Sequence, residues 1–180
     1  RRVSGRRARS DLKNPSFEDV NDKGLPDKWI SKVHRNKVDL AIDSTVARTG
    51  QNSARATSTV GGGSEFLQIP YLEPGGYLLT AWFKTENVQS ERGIQFKASG
   101  NGMENQATRF VTGTTDGWQQ LQLNFKVDRG HGVLIFCLFG AWADATGTVW
   151  FDDISLHQIS STKPTVVEAA QVETVLAKQS

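Results

Sequence analysis

The spacing of chain breakers constrains this sequence most. Between Leu12 and Ile159, runs rich in Val, Ile, Thr, Phe and Trp are cut at short intervals. The cuts are Asn21-Asp22-Lys23-Gly24, Thr49-Gly50, Gly61-Gly62-Gly63, Pro74-Gly75-Gly76, Gly100-Asn101-Gly102 and Asp128-Arg129-Gly130. No stretch of useful length inside this region carries a helical period. The runs read as strands at 12–18, 28–34, 37–43, 53–60, 65–71, 76–86, 92–98, 106–112, 118–127, 132–139 and 147–158. Many short strands at this spacing predict an all-β fold, a jelly-roll sandwich of two antiparallel sheets.

Alternation assigns faces. Leu121, Leu123, Phe125 and Val127 form a core face. Trp118, Gln120, Gln122, Asn124 and Lys126 share the opposite, polar one. Tyr77, Leu79, Ala81 and Phe83 oppose Leu78, Thr80, Trp82 and Lys84 in the same way. In Thr148-Val149-Trp150-Phe151-Asp152-Asp153-Ile154-Ser155-Leu156, strict alternation puts Thr148, Trp150, Asp152, Ile154 and Leu156 together. That face is mostly apolar, and a buried carboxylate needs a metal or a hydrogen-bonded partner. Asn14-Pro15-Ser16-Phe17-Glu18-Asp19, at the other end of the region, is a second acidic motif, so the first and last strands are expected to meet at a cation.

The chain divides into a basic segment at 1–11, a β-domain at 12–160, and a linker with a possible short helix at 161–180. Of 21 Lys and Arg residues, Arg1, Arg2, Arg6, Arg7 and Arg9 sit in the first segment. The remaining 16 are outnumbered by 19 acids, and within 12–160 alone 14 basic residues face 16 acids, so the β-domain is slightly acidic and nucleic acid is not its expected partner. No apolar run approaches the roughly 20 residues of a membrane span. With no initiating Met and no signal peptide, the sequence reads as a piece of a larger protein. Cys137, the only cysteine, lies in the apolar run 133–139 and is expected to be buried and inert.

Several landmarks occur in order: Asn14 to Asp19; Leu25-Pro26-Asp27-Lys28-Trp29; Ala47-Arg48-Thr49-Gly50-Gln51-Asn52-Ser53-Ala54; Pro74-Gly75-Gly76-Tyr77 with Ala81-Trp82-Phe83-Lys84; Thr115-Asp116-Gly117-Trp118; and Trp150 to Leu156. Over Leu12 to Gln158 this order resembles carbohydrate-binding modules of the family 4, 9 and 22 type, which are galactose-binding-domain-like jelly rolls. The resemblance implies a non-catalytic polysaccharide- or oligosaccharide-binding module, accessory to other domains of a larger protein. It further implies a bacterial, extracellular or periplasmic setting. It also implies a structural calcium ion, with Glu18 and Asp152 as side-chain ligands. Backbone oxygens near Ser16 and from Arg48 to Asn52 would complete the shell, and Asp153 would replace Asp152 if the strand carries a bulge. The alternative is a structural or protein-interaction module of the same fold with no sugar ligand.

Sugars are held by aromatic platforms and by amides and charges. The candidates are Trp142, Trp82, Lys84, Trp118, Gln120, Gln122, Asn124 and Arg109. Trp142 stands out because it lies in the loop-like stretch 139–147. Trp29 is expected in the core. Catalysis is not expected: His34, His131 and His157 lack metal-ligand spacing, and no nucleophile elbow is present. The acid pairs Asp22/Asp27 and Asp43/Glu65 would serve glycoside hydrolysis only by flanking a cleft. Gly61-Gly62-Gly63-Ser64 lacks the lysine of a phosphate loop.

Overall fold

A computed structural model describes residues 12–161. The expectations for 1–11 and for most of 161–180 lie outside them. Eleven strands follow in chain order: β1 (Ile30–Asn36), β2 (Asp39–Asp43), β3 (Ser53–Gln68), β4 (Tyr71–Leu72), β5 (Gly75–Gln89), β6 (Ile94–Ser99), β7 (Gln106–Ala107), β8 (Gln119–Val127), β9 (His131–Gly132), β10 (Leu134–Phe139) and β11 (Ala145–Ser161). Every pairing is antiparallel.

β3 belongs to both layers of the sandwich. Its first half pairs with β2 and β11, giving a layer β2–β3–β11–β5–β8. Its second half pairs with β1 and β10, giving β1–β3–β10–β6–β7. The expected break at Gly61-Gly62-Gly63 is therefore a crossing point within one strand. Gly62 needs its lack of a side chain, since a Cβ there would stand 2.8 Å from the Arg35 carbonyl oxygen.

The core fills the space between the layers. Phe151 of the first layer meets Phe66 and Phe96 of the second, with ring centroids 6.1 and 5.5 Å apart. Phe83 packs on Phe96 at 6.1 Å, and Tyr77 stacks on Phe125 at 5.6 Å. Cys137 is buried among them, and burial pushes its thiol well above the ordinary range. Trp29 is in the core as expected and donates its indole N–H to the Asn14 carbonyl.

Two local expectations are corrected. Residues 12–18 form no strand, because Asn14 and Phe17 take positive φ (45° and 56°) and Pro15 has no N–H to give a ladder. The segment still reaches the last strand, since the Ile154 N–H donates to the Pro15 carbonyl at 2.9 Å. Alternation in β11 also fails at Asp153, whose φ of 47° makes a bulge between Asp152 and Ser155. Ile154 and Leu156 therefore face the core, whereas Thr148, Trp150 and Asp152 face outward.

Candidate functional site

The outer face of the first layer carries most of the candidates, and the rings of Trp82 and Trp150 and the cations Arg48, Arg55 and Lys84 on it have partners in the same chain. Trp150 donates its indole N–H to Asp43 at 2.9 Å, and Arg55 lies within 3.6 Å of Asp43 and 3.2 Å of Asp39. Lys84 sits over the Trp150 ring at 5.7 Å. The Arg48 guanidinium lies 3.6 Å from the Trp82 ring centroid, covering one of its faces. Burial pushes the Asp43 carboxyl up. The Trp150 N–H, the Thr45 hydroxyl and amide, and the Arg55 charge outweigh it and hold the group at about 2. Gln120, Gln122 and Asn124 share this face and are exposed, as alternation in β8 predicts. Trp118 is half-buried just before β8. Arg109 is exposed in the 108–112 segment beside β6, away from this face.

Asp152 is fully buried although it points outward, because the 44–52 loop covers it. Its carboxylate accepts the Arg48 amide at 2.8 Å, the Thr49 amide at 3.3 Å and the Asp153 amide at 2.8 Å. Burial, reinforced by the neighbouring Asp153 charge, outweighs these amides and raises the carboxyl to about 6. Asp153 faces burial too, but the Thr49 hydroxyl, Arg48 and the Ser16 hydroxyl hold its carboxyl below the usual value. These contacts are 2.6, 2.8 and 2.7 Å long. Glu18 accepts the amides of Gln51 and Asn52 at 3.1 Å, and the Asn52 side chain donates to the Glu18 carbonyl. Gly50, at φ 65°, makes room for this contact: a Cβ there would lie 2.3 Å from a Glu18 carboxylate oxygen.

The expected metal ligands Glu18, Ser16, Arg48, Asn52 and Asp152 thus gather where the first segment, the 44–52 loop and β11 meet. Among the described residues no three His, Cys, Asp or Glu side chains converge on a point. The amides bound to Glu18 and Asp152 leave lone pairs free on both carboxylates. A calcium ion would suit this donor set only with backbone carbonyls and water supplying most of its six to eight oxygens.

The second layer's outer face is different. A cleft of about 300 Å³ crosses it, with Phe136, Leu138 and Ala141 as an apolar floor and Lys32, His34, Glu65 and Lys97 as polar walls. Alternation explains the set: Ile135, Cys137 and Phe139 point into the core, so Leu134, Phe136 and Leu138 point out. Trp142 lines the cleft and is 69% exposed. It is held in a turn closed by Ala143 N–H to the Gly140 carbonyl, at a φ of 62°. Its ring lies 6.2 Å from that of His34. A second hollow of about 380 Å³, lined by Ser99, Asn101, Asn105, His131 and Leu134, continues along the same strands.

Of the sugar-contact candidates, only Trp142 lines this cleft. Trp82, Lys84, Gln120, Gln122 and Asn124 stand on the opposite side of the sandwich. Sequence reasoning missed Lys32, Lys97, Phe136 and Leu138 and weighed His34 and Glu65 only for catalysis; the six come from four strands. The available signal was Glu65, a charge breaking the run before Phe66 and Leu67. Asp43 and Glu65 lie on different layers and flank no common cleft.

Solved structures match this architecture. A family 61 carbohydrate-binding module, TmCBM61 in complex with β-1,4-galactotriose, superposes with a TM-score of 0.62 at 19% identity, over 84% of this chain and 99% of that one. The CBM22-1 xylan-binding domain of Paenibacillus barcinonensis Xyn10C gives 0.60 at 14% identity, over 86% and 97%. The fold is the jelly roll of carbohydrate-binding modules. The same jelly roll matches 21% of the enzymatically active domain of bacteriophage CBA120 tailspike protein 4, with a TM-score of 0.62 at 14% identity and 83% of this chain covered. No protein-family model matches the chain, and no curated protein matches it by sequence. No helix among the described residues is long and apolar enough to cross a membrane.

Proposed function

We propose that the chain is a non-catalytic carbohydrate-binding module that holds a polysaccharide or oligosaccharide in the cleft over β1, β3, β10 and β6. The observation that carries this reading is the presentation of Trp142. A bulky residue at positive φ is strained, by on the order of 1 kcal/mol or more; Phe17 takes the same conformation inside the core, whereas Trp142 is left 69% exposed in it. Here it holds a large aromatic in water at the mouth of an apolar-floored cleft. An indole face packs on the C–H face of a sugar ring, while Lys32, His34, Glu65 and Lys97 are placed to meet hydroxyl groups. Modules of this fold with galactotriose and with xylan-binding activity support the reading.

The module works as an accessory to other domains of a larger, extracellular or periplasmic protein. Modest affinity is then enough, because tethering raises the local concentration of the partner domain at its polysaccharide. Calcium at Glu18 and Asp152 belongs to the same proposal, as a stabilising ion remote from the sugar; the bulge does not put Asp153 in place of Asp152, because Ser16, Arg48 and Thr49 occupy that carboxylate. It is supported by the buried, outward-facing Asp152 and by the meeting of three segments there.

Retention on a panel of insoluble polysaccharides and a glycan array, in calcium and in chelator, tests the proposal. Wild type is retained on a defined glycan, and Trp142→Ala loses about tenfold or more in affinity. No retention on a broad panel would leave the fold with a structural or protein-docking role.

A further inference from the structure

The cleft treats its cations differently from the first layer and from its own neighbour Arg35 of β1, which pairs with Asp144. On the first layer Arg48 pairs with Asp153, Arg55 with Asp39 and Asp43, and Lys84 lies over Trp150. In the cleft of the second layer, Lys32 and Lys97 have no ion pair and no side-chain hydrogen bond among the described residues. Lys97 is half-buried and stands opposite Phe136 in the register of β6 and β10. Lys32, on β1, borders the other side and stands opposite Glu65 in the register of β1 and β3, with no ion pair formed between them. The only carboxylate lining the cleft is Glu65, and the His34 Nδ1 lies 3.9 Å from it.

Strand order sets how far apart the two lysines are rooted. β1, β3, β10 and β6 are consecutive neighbours, so Lys32 and Lys97 rise from strands about 14 Å apart, three spacings of about 4.8 Å. An oligosaccharide lying over Phe136 and Leu138 would pass between them. An ammonium group beside an apolar floor, shielded from water by a bound ligand, gains more from a carboxylate than one in bulk solvent.

We infer that the cleft selects acidic sugar chains, with Lys97 pairing to the carboxylate of a uronic acid unit and Lys32 as a second anionic contact. This rests on the carbohydrate-binding reading of the same cleft and names its substrate class.

The test is calorimetric titration of the protein with oligogalacturonides and with glucuronic-acid-substituted xylo-oligosaccharides. Each is used before and after reduction of its carboxyl groups to alcohols. The expected result is that one acidic sugar binds about tenfold more tightly than its reduced form at about 0.05 M salt, with the ratio shrinking towards about 0.5 M. Lys97→Gln brings the ratio close to one, and Lys97→Arg retains it; the ratio, not the absolute affinity, is the readout. Equal binding of acidic and reduced forms would overturn the inference, as would a ratio that survives Lys97→Gln. Binding of neutral galactan or xylan alone would overturn it while leaving the carbohydrate reading intact. Binding of no glycan at all would remove both.

Discussion

On the outer face of β2–β3–β11–β5–β8, Trp82 lies under Arg48 and Trp150 donates to a buried Asp43. On the outer face of β1–β3–β10–β6–β7, Trp142 stands 69% exposed beside His34 at the edge of a cleft. Both faces combine indole rings with charged side chains. The first covers Trp82 and Trp150 with side chains of the same chain while the amides of Gln120, Gln122 and Asn124 stay exposed, and its aromatics contribute to stability. The second leaves an aromatic, two ammonium groups and an apolar floor unsatisfied, which is the condition a ligand relieves. Residue type alone does not separate a structural tryptophan from a binding one; what lies over the ring does.

Substitutions can break this contrast. The largest effect is expected at the Asp152 clasp. Asp152→Ala strands the amides of Arg48 and Thr49 and should cost about 2–4 kcal/mol in a denaturant melt. Calcium should raise the melting temperature of wild type and not of this variant; equal shifts in both would remove the ion from Asp152. Gly50→Ala should cost about 2 kcal/mol, because the new methyl meets Glu18 at a backbone angle that favours glycine.

Trp142→Gly should separate stability from binding. Relief of the positive φ is expected to raise stability by about 0.5–1 kcal/mol while glycan retention is lost. A drop in melting temperature would make Trp142 a packing residue instead. Trp82→Ala should do the reverse, losing about 1 kcal/mol with Arg48 unstacked and leaving glycan affinity unchanged.

A further effect is a pH dependence confined to acid solution. Asp43 has a folded-state value of about 2 against an ordinary 3.8, so its contribution is fully present above pH 4. It is lost as pH falls from about 4 through about 2. Asp43→Asn should flatten that limb of the stability curve, and a curve identical to wild type would assign the acid sensitivity elsewhere.

Much of the sandwich was legible because β5, β8 and β10 alternate cleanly, and alternation survives wherever one face is core. It failed where backbone conformation overrides side-chain pattern. Asp153 at positive φ moved Ile154 and Leu156 to the face opposite Asp152. The three glycines at 61–63 looked like a turn because glycine serves equally where two layers share a strand. Trp142 was legible as an aromatic with no core to fill. The rest of the cleft was not: Lys32, Glu65, Lys97 and Phe136 are adjacent only through the register of β1, β3, β10 and β6.

A side-by-side affinity measurement of wild type, Trp142→Ala and Trp82→Ala on the same retained glycan decides which face of the sandwich binds. Binding lost in Trp142→Ala and kept in Trp82→Ala would place the ligand in the second layer's cleft. Binding kept in Trp142→Ala and lost in a folded Trp82→Ala would put it on the opposite face and contradict the account.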